Sequence, residues 1–594
     1  MKSADPYRWR RIVAGLALML GFSGVLFRLF TLQVLQAAEL TEKADRQHRM
    51  SVTVEGGRGG IYDRQGKVLA MNMEVTSVYG IPASLENPAG VARDLARVLH
   101  VRVDEIERKL KREQKFVWIA RKLDPEQGRS LERLSLEGIG TRMEGRRFYP
   151  KGPLLAHVLG FAGMDGQGLE GIERRYESYL RGETQKVVLQ RDALGRTVFP
   201  KGLNEQGPAP GHSLTLTIDE VIQYIAEKEL DEAVTNARAK GGVVLVMEPR
   251  TGAVLAMAVN PKFDPNSMGG LTPDRWRNRA LTDAYEPGST MKVITAAAAL
   301  EEKVMGPGTL INGENGQFAA AGRNIHDHEK LGWMTFAQMV QKSSNIGAAK
   351  TGMALGEERL HRYLKAFGFG ERTEIDLPGE AAGLVRDPKD WGRQSLASIA
   401  FGQEVGVTPL QLLNAVAAVA NGGWLMKPYV VSEIRDGKGA VVTQTGPQIR
   451  RRAVSAETAQ ALTAILEGVV THGTGGKAAI AGFRVAGKTG TAQKIDPKTG
   501  RYSPTLFVAS FVGYLPVDDP RLAILVVVDE PRTEQWGGTI AAPVFRRVAE
   551  QALLHLGVSS KSPIKLALYD EYGEARRGGA ERTLVRLASV GDPS

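Results

Sequence analysis

Two groups of strand-like segments, one on either side of a long helical stretch, constrain the fold of this chain more than any other feature of its sequence. Residues 243–247 and 253–259 form the first group, with the turn sequence Glu-Pro-Arg-Thr-Gly between them. The second group comprises residues 483–492, 507–515 and Leu522–Asp529. About 220 residues of mainly helical pattern separate the two groups. Because strands from both ends must pair around this insertion, the sequence predicts an α+β domain with one five-stranded antiparallel sheet.

A separate, smaller domain is expected before this one. Residues 37–206 combine short strands, at 67–70 and 76–81, with charged helices, and no cluster of catalytic side chains occurs among them. We therefore predict a non-catalytic α+β domain. The sequence Gly-Pro-Ala-Pro-Gly at 207–211 indicates a linker stiffened by two prolines. We place the domain boundary there, so that the second domain covers residues 207–556.

The N-terminus carries a candidate membrane anchor. Residues 12–27 contain no charge and would extend about 24 Å as a helix, which is short of the roughly 30 Å of a hydrocarbon core. Extending the helix to residue 36 supplies the missing length if Arg28 reaches the outer interface or faces a partner helix. We predict a transmembrane helix at 12–36, with the basic residues 1–11 in the cytoplasm and the remainder outside. A cleaved signal peptide is the alternative, although the small-residue site that follows is poor.

Composition excludes several kinds of site and partner. The chain has no cysteine, which rules out disulfides, cysteine-ligated zinc, thiol nucleophiles and a lipid-modified cysteine anchor. The net charge of +11 is modest and dispersed for 594 residues. It suits a membrane surface or a cell wall as well as nucleic acid, and we predict no nucleic-acid partner. Residues 557–594 are polar and weakly patterned, which predicts a flexible C-terminal tail.

Ser289 and Lys292 form the first candidate for catalysis. They precede an Ala-rich helix, and their spacing of three places both side chains on one helical face. At a helix N-terminus, free N–H groups and the positive end of the dipole favour a developing anion. A neutral lysine can activate the serine hydroxyl, provided that its pKa falls from about 10.4 to about 7–8, a difference of roughly 4 kcal/mol. The alternative is an ordinary capping serine beside a surface lysine.

Ser343, Ser344 and Asn345 form the second candidate, between predicted helices at 335–342 and 346–355. On one continuous helix, Ser343 and Asn345 would point in different directions. In a turn between two helices, both can face the same cleft. A solvated turn with capping residues is the alternative.

The third candidate is the sequence Gly-Lys-Thr-Gly-Thr-Ala at 487–492. Glycines on both sides of Lys488-Thr489 allow another backbone to approach, so that a substrate peptide can lie beside this strand. Lys488 and the hydroxyls of Thr489 and Thr491 would then meet a substrate carboxylate.

A nucleotide site is a rival interpretation of the same segment. Residues 482–489 match the phosphate-loop pattern G-x-x-x-x-G-K-[ST], and Asp529-Glu530 follows an apolar strand in the manner of a magnesium site. A phosphate loop must open a helix, however, and the glycines and prolines between 490 and 504 prevent a long one. We therefore predict no nucleotide site.

Metal binding receives little support. His326 and His328 place two ligands on one face of a strand, but no third ligand is evident. We interpret this segment as a polar loop and predict no metal site. The paired carboxylates Asp529 and Glu530 lie at a strand end, where they indicate a turn rather than acid–base catalysis.

In combination, the three motifs are far more specific than any one of them. The order Ser289-x-x-Lys292, then Ser343-x-Asn345, then Lys488-Thr-Gly resembles the penicillin-binding serine acyl-transferase superfamily. Further segments resemble class B penicillin-binding proteins, so that the resemblance extends over about residues 12–556; these segments are 58–66, 168–173, 191–196, 407–411 and 473–475.

Within this class, the chain is most similar to the cell-division (septal) member. Residues 285–291, with Glu286 before Pro-Gly, the short N-terminal domain and the overall length carry this similarity. Val293 departs from the pattern, because many relatives have proline after the lysine. That position belongs to the helix rather than to the site.

The resemblance implies a fold and an activity. A penicillin-binding transpeptidase domain, with its five-stranded sheet and large helical subdomain, would follow a dimerisation or pedestal domain at 37–206. The implied reaction is D,D-transpeptidation, which cross-links peptidoglycan stem peptides through a serine acyl-enzyme without a cofactor or metal. Ser289 would be the nucleophile and Lys292 its base. The other residues implied for catalysis are Ser343, Asn345 and Lys488, and the N–H groups of Ser289 and Thr491 would form the oxyanion hole. The residues implied for substrate binding are Ser344, Thr489, Gly490 and Thr491.

The implied partners are stem peptides, β-lactams as covalent inhibitors, a membrane-embedded glycosyltransferase and other division proteins. We would look for the glycosyltransferase contact at Arg28 and within residues 12–60. The implied location is the bacterial inner membrane at the septum. Three alternatives stay open: an elongation-type transpeptidase of the same class, a β-lactamase or β-lactam sensor, for which no deacylating glutamate is assignable, and a non-catalytic division scaffold.

Overall fold

A computed structural model gives the structure of this chain. It describes residues 7–560, apart from 112–113, 115, 135, 192–196, 199–207 and 321. The predicted tail therefore lies outside the described residues from 561 onward, as does most of the segment 191–196.

The N-terminal helix α1 spans Arg8–Phe30 and continues as a π-helical segment, Thr31–Leu35. In the described part of the chain, this is the one helix that is long and apolar enough to cross a membrane, and none of its side chains is buried against the rest of the protein. The helix begins four residues before the predicted span. Arg28 lies in the last turn of α1, at the end expected to reach the outer interface.

The region that follows is a mixture of helices and strands. Its helices are Ala37–His48 (α2), Pro88–Leu99 (α3), Val103–Leu110 (α4), Pro125–Glu132 (α5), Ala156–Leu159 (α6), Gly171–Arg175 (α7) and Glu177–Leu180 (α8). Its strands are Arg49–Glu55 (β1), Ile61–Tyr62 (β2), Val68–Gly80 (β3), Val117–Ala120 (β4), Ile139–Phe148 (β5), Thr184–Arg191 (β6) and Thr197–Val198 (β7).

The larger C-terminal region contains the predicted sheet and helices. Its strands are Ser213–Leu216 (β8), Gly241–Met247 (β9), Val254–Asn260 (β10), Leu310–Asn312 (β11), Gln317–Ala320 (β12), Arg323–His326 (β13), Trp333–Thr335 (β14), Trp424–Met426 (β15), Val431–Arg435 (β16), Val441–Gln444 (β17), Ile449–Arg452 (β18), Ala486–Ile495 (β19), Tyr502–Leu515 (β20) and Leu522–Asp529 (β21). Its helices are Glu220–Asn236 (α9), Pro273–Trp276 (α10), Arg279–Thr282 (α11), Lys292–Glu301 (α12), Phe336–Lys342 (α13), Asn345–Leu355 (α14), Glu357–Ala366 (α15), Ser395–Ala400 (α16), Pro409–Ala420 (α17), Ala456–Thr471 (α18) and Gly537–His555 (α19).

The central sheet confirms the predicted five antiparallel strands within the described residues, in the order β10-β9-β21-β20-β19. Because side chains alternate along a strand, each strand contributes to two cores. One face packs against α9 and α19, and the other against α17 and α18. The strand β19 lies at one edge of the sheet, which leaves one side of its backbone without a partner strand.

One detail of the predicted secondary structure is wrong, and another is incomplete. The segments 67–70 and 76–81 are one strand, β3, because β5 pairs with it without interruption from Met71 to Gly80. The insertion between the strand groups, predicted as mainly helical, is not helical throughout. It also contains antiparallel pairs of short strands: β11 with β14, β12 with β13, and β15 with β18.

A second sheet joins the two regions. Its order is β17-β16-β8-β2-β3-β4, and β5 also pairs with β3. The strands β2 and β8, which come from opposite sides of the expected domain boundary, pair in parallel. The segment before β8 is hydrogen-bonded to the N-terminal region, since Gly211 N donates to Gly57 O at 2.9 Å. The expected linker is therefore packed, at least over residues 208–211.

A buried ion cluster holds the N-terminal region together around Glu173. The Glu173 carboxylate is fully buried and accepts hydrogen bonds from Arg58 Nε and Arg147 Nε, each at 2.6 Å. Arg58 also donates to Glu177 at 2.6 Å. Since Arg58 precedes β2, Arg147 lies in β5 and Glu173 lies in α7, the cluster connects three segments that are distant in sequence.

We predict that Glu173→Gln lowers the free energy of unfolding by about 3–5 kcal/mol, because it leaves two buried guanidinium groups without their shared anion. Chemical denaturation of the detergent-solubilised chain measures this change. Glu105→Gln is the matched control, since Glu105 pairs with Lys109 on the exposed face of α4 and its loss should have no measurable effect. A Glu173→Gln effect as small as that of the control would contradict the prediction.

Candidate active site

Ser289 lies in a short turn that leads into the buried helix α12. Residues Gly288–Met291 form a 3-10 turn, and α12 begins directly afterwards at Lys292. The alanines of α12 allow it to pack closely against α14 and α18, so that almost the whole helix is buried. The Ser289 side chain itself is only partly buried. The predicted position of Ser289 at a helix start is confirmed.

Lys292 is the most constrained of the candidate residues. Its side chain is fully buried, and its Nζ lies 3.1 Å from Ser289 Oγ. Nζ also donates to Ser343 O at 2.6 Å and to Asn345 Oδ1 at 2.8 Å. A neutral amine has two N–H donors and one lone pair. Since the two oxygens can only accept, both donors are engaged, and the lone pair remains for the Ser289 hydroxyl.

The predicted interhelical turn lies between α13 and α14. Ser343 ends α13 in the left-handed conformation, with φ of 61°, which is uncommon for a residue other than glycine. This conformation brings both its carbonyl oxygen and its hydroxyl towards Lys292. Ser344 caps α14 by accepting from Gly347 N at 2.9 Å. Its side chain is therefore occupied in holding the turn and is buried.

Asp327 is a site residue that sequence analysis missed. Its carboxylate accepts hydrogen bonds from Ser344 Oγ, from Asn345 N and, at 3.1 Å, from Ile346 N. Asn345 Nδ2 additionally donates to His326 O at 3.0 Å. Residues 326–327 thus hold the Ser343–Asn345 turn in place through these hydrogen bonds. An acidic residue shortly before a Ser-Ser-Asn turn was the available signal, but nothing in the sequence placed the two together.

The strand β19 supplies the opposite wall of the cleft. Lys488 is fully buried, and its Nζ donates to Ser343 Oγ at 2.9 Å. The Thr489 hydroxyl lies 2.7 Å from the Thr474 hydroxyl, and Thr491 Oγ1 accepts from Gly537 N at 3.1 Å. Gly490 has no room for a side chain, because a Cβ would lie 2.3 Å from Ser510 Oγ.

Burial changes the protonation of both lysines. Desolvation lowers the pKa of Lys292 to about 7, partly opposed by the negative charge of Asp327. The pKa of Lys488 is also well below its usual value, first because of burial and second because of the charge on Lys292. Two cations are therefore unfavourable in this pocket. The Ser343 hydroxyl lies between the two amines, 3.3 Å from one and 2.9 Å from the other, where it can pass a proton.

The three motifs meet in one cleft, as the sequence predicted. Ser289, Lys292, Ser343, Asn345 and Lys488 are connected by hydrogen bonds of 3.3 Å or less. The arrangement provides a hydroxyl beside a neutral base, next to the free edge of a strand. Such a site can attack a peptide carbonyl and hold the product as an ester.

The rival sites are not supported. The phosphate-loop pattern leads into strand β19 instead of a helix, so no helix N-terminus is available for phosphate. Among the described residues, no group of three or more histidine, aspartate or glutamate side chains is arranged to hold a metal. Asp529 and Glu530 bind Lys494 at 2.7 and 2.6 Å, which accounts for both carboxylates.

Comparison with known families agrees with this geometry. Residues 242–550 match the penicillin-binding protein transpeptidase domain, and residues 53–216 match the penicillin-binding protein dimerisation domain. The first match alone covers more than half of the chain. The chain belongs to the class B penicillin-binding proteins. The resemblance inferred from the three motifs is thereby confirmed, together with the predicted two-domain α+β fold.

Relatives of this penicillin-binding protein have been named from several bacteria. Stage V sporulation protein D of Bacillus subtilis is 37% identical over 548 residues, which cover 90% of this chain and 84% of the relative. The peptidoglycan D,D-transpeptidase FtsI of Escherichia coli K12 is 31% identical over 552 residues, 91% of each chain. The solved structure of penicillin-binding protein 3 from Mycobacterium tuberculosis with aztreonam has a TM-score of 0.68 and 27% identity, covering 86% of this chain and 99% of that one.

The activity follows from the family. This penicillin-binding protein is a peptidoglycan D,D-transpeptidase of the class B type, and the predicted enzyme class is confirmed. Peptidoglycan as substrate and β-lactams as ligands are consistent with the family. The apolar helix α1 indicates a single-pass membrane protein.

We predict that the rate of acylation by a penicillin rises with pH through an apparent pKa of about 7, the value to which burial lowers Lys292. Below that pH the amine is protonated and cannot accept the Ser289 proton, so the rate should fall about tenfold per pH unit. Lys292→Arg should reduce the rate by about 10³-fold or more at every pH, because a guanidinium stays charged. Stopped-flow or quenched labelling measures both.

The matched control is Lys342→Arg, since Lys342 is an exposed lysine one residue before the Ser343 turn and pairs with Glu329. This variant should keep the wild-type rate and pH profile. A wild-type profile that is flat between pH 6 and 9 would show that Lys292 is not the base.

Proposed function

We propose that this chain cross-links peptidoglycan stem peptides during septal cell-wall synthesis, with Ser289 as nucleophile and Lys292 as its base. One observation carries the chemical part of the proposal: a fully buried amine lies 3.1 Å from a partly exposed serine hydroxyl, with both of its donors engaged by other oxygens.

In the acylation step, Ser289 Oγ attacks the carbonyl carbon of the penultimate D-alanine, and its proton passes to the neutral Lys292 amine. The N–H groups of Ser289 and Thr491 bind the oxyanion, each contributing about 10²–10³ in rate. The C–N bond then breaks. The departing D-alanine nitrogen receives the proton from Lys292 through the Ser343 hydroxyl, which lies within 3.3 Å of that amine.

In the second step, an amine from a neighbouring stem peptide attacks the ester carbonyl. It transfers a proton to Lys292, the ester C–O bond breaks, and Ser289 Oγ recovers a proton. The product is a peptide cross-link, and the enzyme returns to its starting state without a cofactor or metal. Lys488 keeps the Ser343 hydroxyl oriented at 2.9 Å and would meet the substrate carboxylate as a hydrogen-bond donor.

Substrate recognition uses the edge strand. The donor peptide lies alongside β19, with its terminal carboxylate at the hydroxyls of Thr489 and Thr491 and its amide at the Asn345 side chain. The free edge of β19 supports this mode, because it presents backbone groups to an added strand. Gly490 allows this part of β19 to lie close to Ser510, where a side chain would not fit. Ser344 acts through its cap on α14 and thereby positions Asn345.

The domain assignment is consistent with an enzyme that acts at a membrane surface. We assign residues 1–11 to the cytoplasm, 12–36 to the membrane, 37–206 to the dimerisation or pedestal domain, 207–556 to the transpeptidase domain and 557–594 to a tail. A membrane-embedded glycosyltransferase and other division proteins are the proposed partners, with contacts around Arg28 and within residues 12–60.

Similarity to FtsI of Escherichia coli and the septal-type sequence around Glu286 favour the septal role. Glu286 is held by Tyr502, whose hydroxyl donates to it at 3.0 Å, and by Glu404 N at 2.8 Å. The second candidate is a role in sporulation, which the 37% identity to Stage V sporulation protein D favours. Both roles use the same site chemistry.

Labelling with a penicillin tests the chemical part of the proposal. We expect intact-mass analysis to show one adduct, located on Ser289, because the strained lactam is attacked by the activated hydroxyl. Ser289→Ala should abolish the adduct, whereas the control Ser267→Ala, at an exposed serine, should label normally. Labelling that persists in Ser289→Ala would overturn the assignment of the nucleophile.

Localisation and depletion in the source bacterium test the cellular part. We expect a fluorescent fusion to gather at the division site and depletion to give filaments that fail to divide, because cross-linking of the septal wall would stop. A fusion distributed along the side wall, with rounded cells on depletion, would instead identify the elongation type. Signal confined to developing spores would establish the sporulation role.

A further inference from the structure

Glu404 has a backbone conformation that normally favours glycine. Its φ is 62°, in the left-handed region, where a side chain crowds the backbone and raises its energy. The residue is partly buried and lies in the bend between α16 and α17. A residue other than glycine keeps such a conformation only where its surroundings impose it, and strained residues of this kind cluster at functional sites. The contacts of Glu404 indicate what imposes the conformation and what depends on it.

A neighbouring loop holds the Glu404 carboxylate. The carboxylate pairs with the Arg386 guanidinium and accepts a hydrogen bond from Ser395 Oγ at 2.7 Å. Ser395 is buried, and its Oγ also accepts from Gly392 N at 3.0 Å. Trp391 Nε1 donates to Arg386 O at 3.0 Å, which closes the loop on itself. The side chain of Glu404 is therefore fixed at two points by a loop that is itself internally bonded.

The backbone of Glu404 contacts the residues that lead to the nucleophile. Glu404 N donates to Glu286 Oε1 at 2.8 Å. Glu286 lies three residues before Ser289, and the Tyr502 hydroxyl donates to the same oxygen at 3.0 Å. Because the direction of a backbone N–H is set by the backbone dihedrals, the bond to Glu286 depends on the left-handed conformation of Glu404.

The rest of the segment around Glu404 follows the same residues closely. Gly288 N donates to Gly402 O at 3.0 Å, and Tyr285 exchanges two backbone hydrogen bonds with Val407, at 3.0 and 2.9 Å. A Cβ on Gly402 would lie only 2.0 Å from Gly288 O. The two segments are therefore in direct backbone contact, and a displacement at Glu404 is passed on to the turn that carries the nucleophile.

We propose that Glu404 is a positioning residue for the Ser289 nucleophile. Arg386 and Ser395 hold its carboxylate, the strained backbone directs its N–H to Glu286, and Glu286 orients the turn that begins at residue 288. Glu404 acts only through this connection and takes no part in proton transfer. The inference rests on the proposed function, in which Ser289 forms the acyl-enzyme.

Glu404→Gly separates the strain from the positioning. Glycine adopts a φ of 62° readily, so the variant should fold, with a melting temperature equal to or above that of the wild type. It lacks the carboxylate, however, and its backbone is free to leave the left-handed region, so that the bond to Glu286 weakens. We expect the first-order rate constant for acylation by a fluorescent penicillin to fall about 10-fold, while the dissociation constant of the non-covalent complex stays within about twofold.

Stopped-flow fluorescence on the full-length chain in detergent, over a range of penicillin concentrations, gives both constants. Glu374→Gly is the matched control. Glu374 has the same φ of 62°, but it pairs with Lys427 and Arg450 at 3.6 and 3.7 Å, and neither of these belongs to the site. Relief of the same strain at Glu374 should leave acylation unchanged.

Two further variants test the connection to the loop. Arg386→Gln removes the cationic partner of the carboxylate and should slow acylation in the same way as Glu404→Gly. Because both changes break one connection, the double variant should be no slower than Glu404→Gly alone. Glu404→Gln retains an acceptor for the Ser395 hydroxyl and should restore part of the lost rate.

Acylation of Glu404→Gly within about twofold of wild type would overturn the proposal. An equal loss in Glu374→Gly would also overturn it, since the effect would then be a general one of the backbone change. A weaker non-covalent complex with an unchanged acylation step would make Glu404 a substrate contact instead. If the unaltered chain acquires no adduct on Ser289, the proposed function itself fails, whereas an adduct on Ser289 that forms equally fast in every variant refutes the positioning role alone.

Discussion

The removal of the Lys292 amine from water is the interaction on which the rest of the site depends. A lysine in water is almost entirely protonated at neutral pH and cannot accept a proton from a serine. In this structure the side chain is fully buried, and its pKa falls to about 7. Burial has this effect only because helix α12 is itself enclosed by other helices. The chemistry of one amine thus requires the packing of the whole helical subdomain.

A second buried lysine makes positive charge in the same pocket still less favourable. Lys488 is also fully buried, and the positive charge of Lys292 further lowers its pKa. The pocket accommodates one positive charge much better than two. A proton taken up by Lys292 therefore raises the energy of the site unless it moves on, and the Ser343 hydroxyl provides the route. The Ser343 hydroxyl reaches this position because Ser343 adopts the left-handed conformation, which strains the backbone locally.

Local spacing made some of these features predictable from the sequence. Ser289 and Lys292 are three residues apart, so a helix start was sufficient to bring them together. The strands on each side of the insertion were also predictable, because their apolar runs are bounded by turn residues. In contrast, Asp327 was identified only as part of a polar loop. Its role depends on contacts with a turn 17 to 19 residues later, and no periodicity encodes such a contact.

Tertiary pairing explains the remaining differences between prediction and structure. The strand β3 was predicted as two pieces because its central residues are polar on one face, but the ladder to β5 holds the entire length in register. Likewise, a proline-rich segment resembles a free linker in sequence. It becomes part of a packed junction because β8, which follows it, pairs with β2 on one side and β16 on the other.

This packed junction couples movements of the N-terminal region to the C-terminal region. A shared sheet transmits displacement better than a flexible linker does, because its strands cannot slip in register without exposing buried side chains. A second connection reinforces the sheet: the Tyr176 hydroxyl donates to Asp376 at 2.9 Å, and Asp376 accepts the N–H groups of Val430 and Val431 next to β16. Burial raises the pKa of Asp376, and the hydrogen bonds from Tyr176, Val430 and Val431 partly oppose that rise. The N-terminal region is therefore mechanically part of the platform that supports the catalytic sheet.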